Sequence, residues 1–262
     1  DLDAVYIATP HDTHFLYSMA CIRKNIHVLC EKPLTLNSSE SMILINAAIK
    51  KRVFLMEAFM YRCHPQTFKI LELVEKYFIG KRVKIKSSFG FTTDVSKEHR
   101  LRNPNLAGGA ILDVGCYPLS MVRLISGKLN RMDFADPTDI SIEGELDETG
   151  VDAKSTAILD FTDEISAEIK TAIHEEYENN LIIESDDLCL EVSDPWHCGQ
   201  FNEGKSVIKF SNEGTEEKIE INDEVGLFTR EIDEAANCIE QGRIESPKMT
   251  HRDSLGLSLI HI

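Results

Sequence analysis

Lys32 closes the apolar run His27–Cys30 and stands between Glu31 and Pro33, so a cation sits at the tip of a strand. A cis Lys32–Pro33 bond is expected, because the chain must turn sharply to aim the ammonium back over the strand ends. Asp113 and Tyr117 lie four residues apart in "LAGGAILDVGCYPLSMVRLISG", Leu106–Gly127. That spacing puts a carboxylate and a phenol on one helical face, among Ile111, Leu112, Val114 and Leu119. A lysine with such a pair suits proton transfer to or from a hydroxyl. The phenol can act as base or acid if Lys32 brings its pKa of about 10 down. The ammonium can also steady a developing alkoxide. The plain alternatives are a lysine in a surface turn and a buried Asp–Tyr hydrogen bond serving stability alone.

These residues need elements to position them. Leu2–Thr9 is a continuous apolar run ended by Thr9-Pro10, as for a strand buried on both faces. Asp12 or Thr13 can cap a helix whose apolar positions are Phe15, Leu16, Met19 and Ala20. A second strand is expected at Ile26–Cys30. Asn37 with Glu40 starts a second helix, with Met42, Ile45 and Ile49 on its apolar face. Arg52–Ala58 reads as a third strand. Strand, helix, strand, helix, strand implies a parallel sheet with right-handed crossovers. Lys32 then lies at the carboxyl edge, where open α/β sheets bind ligands. Proton removal from a hydroxyl at such an edge accompanies hydride loss to a nicotinamide.

The texture changes after Tyr61. A helix is expected over Gln66–Tyr77, then an alternating, half-exposed strand over Arg82–Phe91. The site segment should be one helix, opened by Gly108-Gly109 and closed by Gly127, with Pro118 weakening it just past the Asp–Tyr pair. From Ala153 onward, short strand-like segments joined by Asp, Asn and Gly turns predict a mostly antiparallel sheet. Leu227–Gly242 is an amphipathic helix closed by glycine. The fold class expected is α/β: a partial Rossmann-type doubly wound parallel sheet, then an α+β domain with an open, mostly antiparallel sheet. The first strand begins almost at Asp1, so earlier residues with a strand, a glycine-rich turn and a helix are expected. The final "LSLIHI" loses its polar face and is set aside as a non-native tail.

Net charge is −16, with eighteen acidic residues between Asp133 and Asp187 against Lys154 and Lys170. No basic–aromatic patch accompanies this, so nucleic acid is not an expected partner. No run reaches the roughly 20 apolar residues of a membrane helix, and no export signal is visible. Seven scattered cysteines without Cys-x-x-Cys fit a reducing cytoplasm. His11 and His14 are spaced like a metal pair but lack a carboxylate or cysteine cluster, so no metal is expected.

"DLDAVYIATPHDTH", "HVLCEKPLTLN", "MEAFMYRCHPQ" and "GGAILDVGCYPLSMVRLISG" resemble successive blocks of the Gfo/Idh/MocA family. The likeness is ordered from Asp1 to Gly127 and looser beyond. It implies a dinucleotide-binding domain over 1–60 and a substrate-binding and oligomerisation domain over 61–256, with 257–262 outside both. It further implies that Thr9, Pro10, His14, Glu31, Lys32 and Pro33 line NAD or NADP. Lys32, Asp113 and Tyr117 would be catalytic, with Asp113 orienting substrate and Tyr117 moving the proton. Arg62 and His64 would neighbour the substrate. Tyrosine at 117, where many members have histidine, resembles the branch holding glucose–fructose oxidoreductase, dimeric dihydrodiol dehydrogenase and some xylose dehydrogenases. The family likeness also implies a homodimer or dimer of dimers through the second sheet.

The expected activity is NAD(P)-dependent hydride transfer at a secondary hydroxyl or carbonyl of a sugar, polyol or diol. No glycine-rich phosphate turn occurs before Leu2, so the 262 residues by themselves are expected to be inactive. Two rivals share the fold: a cofactor-sensing regulator without activity, and a glycosidase that uses bound NAD transiently. Retained lysine and tyrosine argue against the first.

Overall fold

In the computed structural model, which describes residues 2–260, the run before Thr9 forms β1 (Ala4–Ile7). Helix α1 (His14–Arg23) leads to β2 (His27–Glu31), and α2 (Ser38–Lys51) to β3 (Leu55–Ala58). The strands pair in parallel in the order β1-β2-β3, as the strand–helix alternation requires. Asn37 caps α2 by accepting from the Glu40 amide at 3.0 Å, while the Glu40 carboxylate accepts from the Leu36 amide at 3.3 Å.

The helix faces differ from expectation. In α1 the buried residues are His14, Ser18, Met19 and Ile22, and Leu16 is exposed. In α2 they are Ser41, Leu44, Ile45 and Ala48, while Met42 and Ile49 stay about half exposed. Both stripes are turned by polar groups that find partners inside. His14 bonds carbonyls of two strand-end loops, and the Ser41 hydroxyl lies 2.6 Å from that of Thr35.

Helix α3 (Pro65–Tyr77) and β4 (Val83–Gly90) follow. The expected single site helix is instead a π-helical turn, Ile111–Gly115, continued by α4 (Cys116–Leu129). Pro118 has no N–H for Val114, and the wide turn immediately before it absorbs that loss. Gly127 does not end the helix. It lies inside α4, where an added Cβ would stand 2.2 Å from the Phe134 Cα, so its role is close backbone approach. Residues Pro104–Leu129 form a stretch long and apolar enough to cross a membrane by length and composition. An 18-residue apolar stretch within it is 78% buried here, so the core already covers that apolar surface.

Seven further strands complete a second sheet: β5 (Asp139–Leu146), β6 (Asp152–Thr162), β7 (Ile165–Ala172), β8 (Leu181–Glu184), β9 (Leu188–Val192), β10 (Lys205–Asn212) and β11 (Thr215–Asn222). With β4 they run in the order β11-β10-β9-β8-β4-β7-β6-β5. All neighbours are antiparallel except β4 and β7. Helices α5 (Leu227–Glu240) and α6 (His251–Ile260) return to the first sheet's side, α6 packing on α2 and β3. One apolar core joins Leu29, Met56 and Ala58 of the first sheet to Tyr61, Phe89, Tyr117 and Trp196. Of the segment expected to stand outside the fold, Leu257 is buried in α6, and His261 and Ile262 lie outside the described residues.

Candidate active site

Strand β2 delivers Lys32 to the carboxyl edge of the first sheet, and the Lys32–Pro33 peptide is cis. The Lys32 Nζ donates to the Asp113 main-chain carbonyl and lies 3.5 Å from Asp113 Oδ1. It also stands 5.2 Å from the centroid of the Tyr117 ring. The π-helical turn accounts for the free carbonyl. Its hydrogen-bond pattern would pair Asp113 C=O with residue 118, which is proline and has no N–H. Lysine takes the orphan.

Asp113 is almost wholly buried, yet two more side chains address the same oxygen. Arg100 Nη1 donates to Oδ1 at 2.8 Å, and His11 Nε2 lies 3.9 Å away. Burial alone would raise the Asp113 pKa, but the charges of Lys32 and Arg100 outweigh it and hold the carboxyl below its ordinary value. His11 is pushed down to about 4, first by burial and then by the Lys32 ammonium. It is therefore neutral at physiological pH, with Nδ1 bonded to the Ala107 carbonyl at 3.1 Å.

Tyr117 corrects two expectations. Its hydroxyl donates to Met60 Sδ at 3.3 Å, not to Asp113, because the wide turn takes the two residues out of vertical register. Its ring sits in an aromatic box, 5.4 Å from Phe59, 5.3 Å from Phe89 and 5.9 Å from Trp196. Burial pushes the phenol well above its ordinary 10. Lys32 lies against the ring face and does not pull the phenol down.

The neighbouring loops are tied together by His14. Its Nδ1 is 2.7 Å from the Pro33 carbonyl and its Nε2 is 2.8 Å from that of Thr9. Thr13 donates to the Thr9 hydroxyl and to the Pro10 carbonyl, both at 2.7 Å. Glu31 accepts from the Tyr6 hydroxyl and, at 3.3 Å, from the Lys32 amide. Thr9, Pro10, His14, Glu31, Lys32 and Pro33 thus share one sheet edge.

The model of an oxidoreductase family with an NAD-binding Rossmann fold, Gfo/Idh/MocA, matches residues 1–59. That family's C-terminal domain matches residues 68–192. A D-xylose 1-dehydrogenase (NADP+) of Haloferax volcanii is 30% identical over 258 residues, covering 98% of this chain and 75% of the relative. The chain belongs to the Gfo/Idh/MocA family. A trans-1,2-dihydrobenzene-1,2-diol dehydrogenase of Xenopus laevis is 31% identical over 97% of this chain and 74% of its own length. Aldose-aldose oxidoreductase from Caulobacter crescentus, solved with glycerol, superposes with a TM-score of 0.84 at 22% identity. It covers 98% of this chain and 74% of that one, and shares the fold.

In this Gfo/Idh/MocA chain Arg62 and His64 are not brought to the Lys32 cluster. Arg62 is buried, with Nη2 at 3.0 Å from Asp253 Oδ2 and 2.7 Å from the Ser120 hydroxyl. His64 pairs with Asp223 at 3.0 Å and caps α3 through the Gln66 amide at 3.1 Å. Their polar atoms are committed to the scaffold. Arg100 and His11, which the sequence reading did not place at the site, are there instead.

Glu231 on α5 was also missed. It is 1% exposed, neither carboxylate oxygen has a donor among the described residues, and burial with the nearby charge of Glu31 raises its pKa to about 8. The folded chain therefore holds a proton that the unfolded chain releases above about pH 4.5. Stability from this residue is intact below that pH and lost as pH rises toward 8. Glu231→Gln should raise Tm by roughly 2–4 °C or more at pH 8 and hardly at pH 4. Equal melting shifts at both pH values would show the carboxyl to be paired.

Proposed function

We propose that this oxidoreductase moves a hydride between NADP, or NAD, and a secondary hydroxyl of a sugar or vicinal diol. The observation that carries this reading is the meeting of Lys32, Asp113 and Tyr117 at the carboxyl edge of a parallel sheet. Names of the relatives support the substrate class and NADP. The edge offers an ammonium, a threonine hydroxyl and a carboxylate, donors and acceptors suited to ribose hydroxyls and a carboxamide. The first glycine of the chain is Gly80, so residues 1–79 contain no glycine-rich turn for a pyrophosphate. The fit is to the nicotinamide half. A nicotinamide held by these residues would supply reversible hydride exchange with the carbinol carbon.

The chain's own residues handle the rest. Tyr117 takes the hydroxyl proton during oxidation and gives it back during reduction. The Lys32 ammonium steadies the alkoxide between those states, and Asp113 orients the substrate by accepting from a hydroxyl. Burial keeps the phenol protonated at neutral pH, so reduction finds its acid ready while oxidation must first lose a proton. The test is a screen of aldoses, polyols and trans-diols with NAD+ and NADP+ on the full-length holoenzyme, read as NAD(P)H absorbance. Tight cofactor binding without net reduction on any of them would favour the glycosidase or the sensor over a dehydrogenase.

The same reading takes the open face of the second sheet as a homodimer surface. Ile158 is exposed on that face, whereas Ile140 and Ile142, opposite Leu159 and Ala157, turn to the helix-covered side. Sedimentation showing only monomer at tens of micromolar would overturn it.

A further inference from the structure

Asp113 draws two cations and a neutral imidazole to a single oxygen. Lys32, Arg100 and His11 all approach Oδ1, and no hydrogen bond reaches Oδ2 among the described residues. The three differ in exposure. Lys32 and Asp113 side chains are 12% and 8% exposed, whereas that of Arg100 is 46% exposed. Its guanidinium therefore stands at the mouth of the site, with one N–H on Asp113 and the others free to face a ligand.

The backbone beneath it is built to hold that position. Gly109 N donates to the Leu101 carbonyl at 2.9 Å, and Gly108 N to that of Asn103 at 3.1 Å. A Cβ on Gly108 would meet the Leu101 and Arg100 carbonyl oxygens at 2.6 and 2.7 Å. Only glycine lets the Arg100 loop lie against the entry to the site turn. Two residues on, Arg102 anchors the loop by pairing with Asp147 at 2.7 Å and Glu148 at 2.9 Å. These contacts pin the loop immediately after the arginine that points to the carboxylate.

We propose that Arg100 is a specificity-determining residue: with Asp113 it reads the hydroxyl next to the one that reacts. Lys32 and Tyr117 serve the reacting oxygen. A carboxylate that accepts and a guanidinium that donates together satisfy the proton and the lone pairs of a neighbouring hydroxyl. A substrate without that hydroxyl leaves Asp113 Oδ2 without a donor, which a site of this kind penalises. The guanidinium is charged at every working pH and planar, so lysine reproduces its charge but not its geometry. The inference rests on the hydroxyl-oxidising function proposed above.

The experiment compares trans-cyclohexane-1,2-diol with cyclohexanol on the full-length holoenzyme and on its Arg100→Met and Arg100→Lys variants. The wild type should prefer the diol by about 10²-fold or more in kcat/KM, in line with loss of a charged hydrogen-bond partner. Arg100→Met should collapse that ratio by about 10- to 100-fold, chiefly through KM for the diol, and Arg100→Lys should restore part of it. A ratio unchanged in Arg100→Met, even if both rates fall together, overturns the proposal. Calorimetric binding of the two alcohols to the same three proteins, with NADP+ present, separates the two levels of inference. If the wild type turns over neither alcohol yet binds the diol more tightly in an Arg100-dependent way, the specificity role stands and the proposed reaction falls. If it binds both alike, the specificity role falls.

Discussion

Tyr117→Phe is expected to lower turnover about 10²- to 10⁴-fold with little change in substrate affinity, the scale of a lost general acid–base. Phenylalanine keeps the ring that packs on Phe59, Phe89 and Trp196 and removes only a hydroxyl whose partner is Met60 Sδ. The fold should survive, so a loss of rate reads chemistry. The pH dependence has a definite sign. In oxidation the phenol must be ionised to accept a proton, and burial pushes its pKa well above 10. Wild-type oxidation should therefore keep climbing through the alkaline range, while carbonyl reduction stays level until the phenol ionises. Tyr117→His should recover part of the rate and shift the oxidation profile to lower pH, since imidazole titrates near pH 6.5. The check is kcat in both directions from pH 6 to 10 for the three proteins. Near-normal turnover in Tyr117→Phe would make Tyr117 a packing residue, with the proton leaving by another path.

The parallel half of the fold was legible because its signals are local. A buried parallel strand is a short apolar run, and Asn37 with Glu40 announces α2 in four residues. What failed there was the inward stripe of α1 and α2, because His14 and Ser41 earn buried places through partners that lie elsewhere in the chain. In the second half, β6 to β10 were readable from alternating apolar positions. Strands β5 and β11 were not. Each carries only a short alternation, Ile140 and Ile142 in β5 and Ile219 and Ile221 in β11, set among polar and charged residues at the two sheet edges.

The candidate site divides in the same way. A strand-end lysine before proline and an Asp–Tyr spacing in an apolar segment are one-dimensional signals. The surroundings of Tyr117 are not, since Met60, Phe89 and Trp196 come from three distant segments. Without them the phenol's environment looked polar, and the direction of its pKa shift was read backwards. Arg62 and His64 are expected near the substrate from the family resemblance, and only the fold reveals Asp253 and Asp223 as their partners. Arg100 carried no pattern of its own. Its position becomes meaningful once Gly108 is seen to seat its backbone.

Lys32→Met should cost at least about 10²-fold in turnover, the usual loss when a donor to a developing oxyanion is removed. Methionine has similar length and no charge, so the chain can keep its path while the ammonium disappears. Two further consequences follow from the contacts. The Asp113 carbonyl loses its ammonium donor and keeps the Cys116 thiol at 3.8 Å, and Pro118 cannot supply another N–H. Asp113 and His11 must also shift, because Lys32 is the foremost charge lowering each of them, after the effects of burial. Both pKa values should rise in the variant, that of His11 from about 4 toward the ordinary imidazole value of about 6.5. Imidazole NMR titration of His11 reads this directly, and it should move in Lys32→Met but not in Tyr117→Phe. Lys32→Arg is the sharper control. It keeps the positive charge near His11, so the titration should stay low. Turnover should nevertheless remain impaired, because a planar guanidinium cannot take the place of a compact ammonium between Asp113 and the Tyr117 ring. A rate within tenfold of wild type in Lys32→Met, with His11 titrating as before, would mean that Lys32 does not occupy the centre of this site.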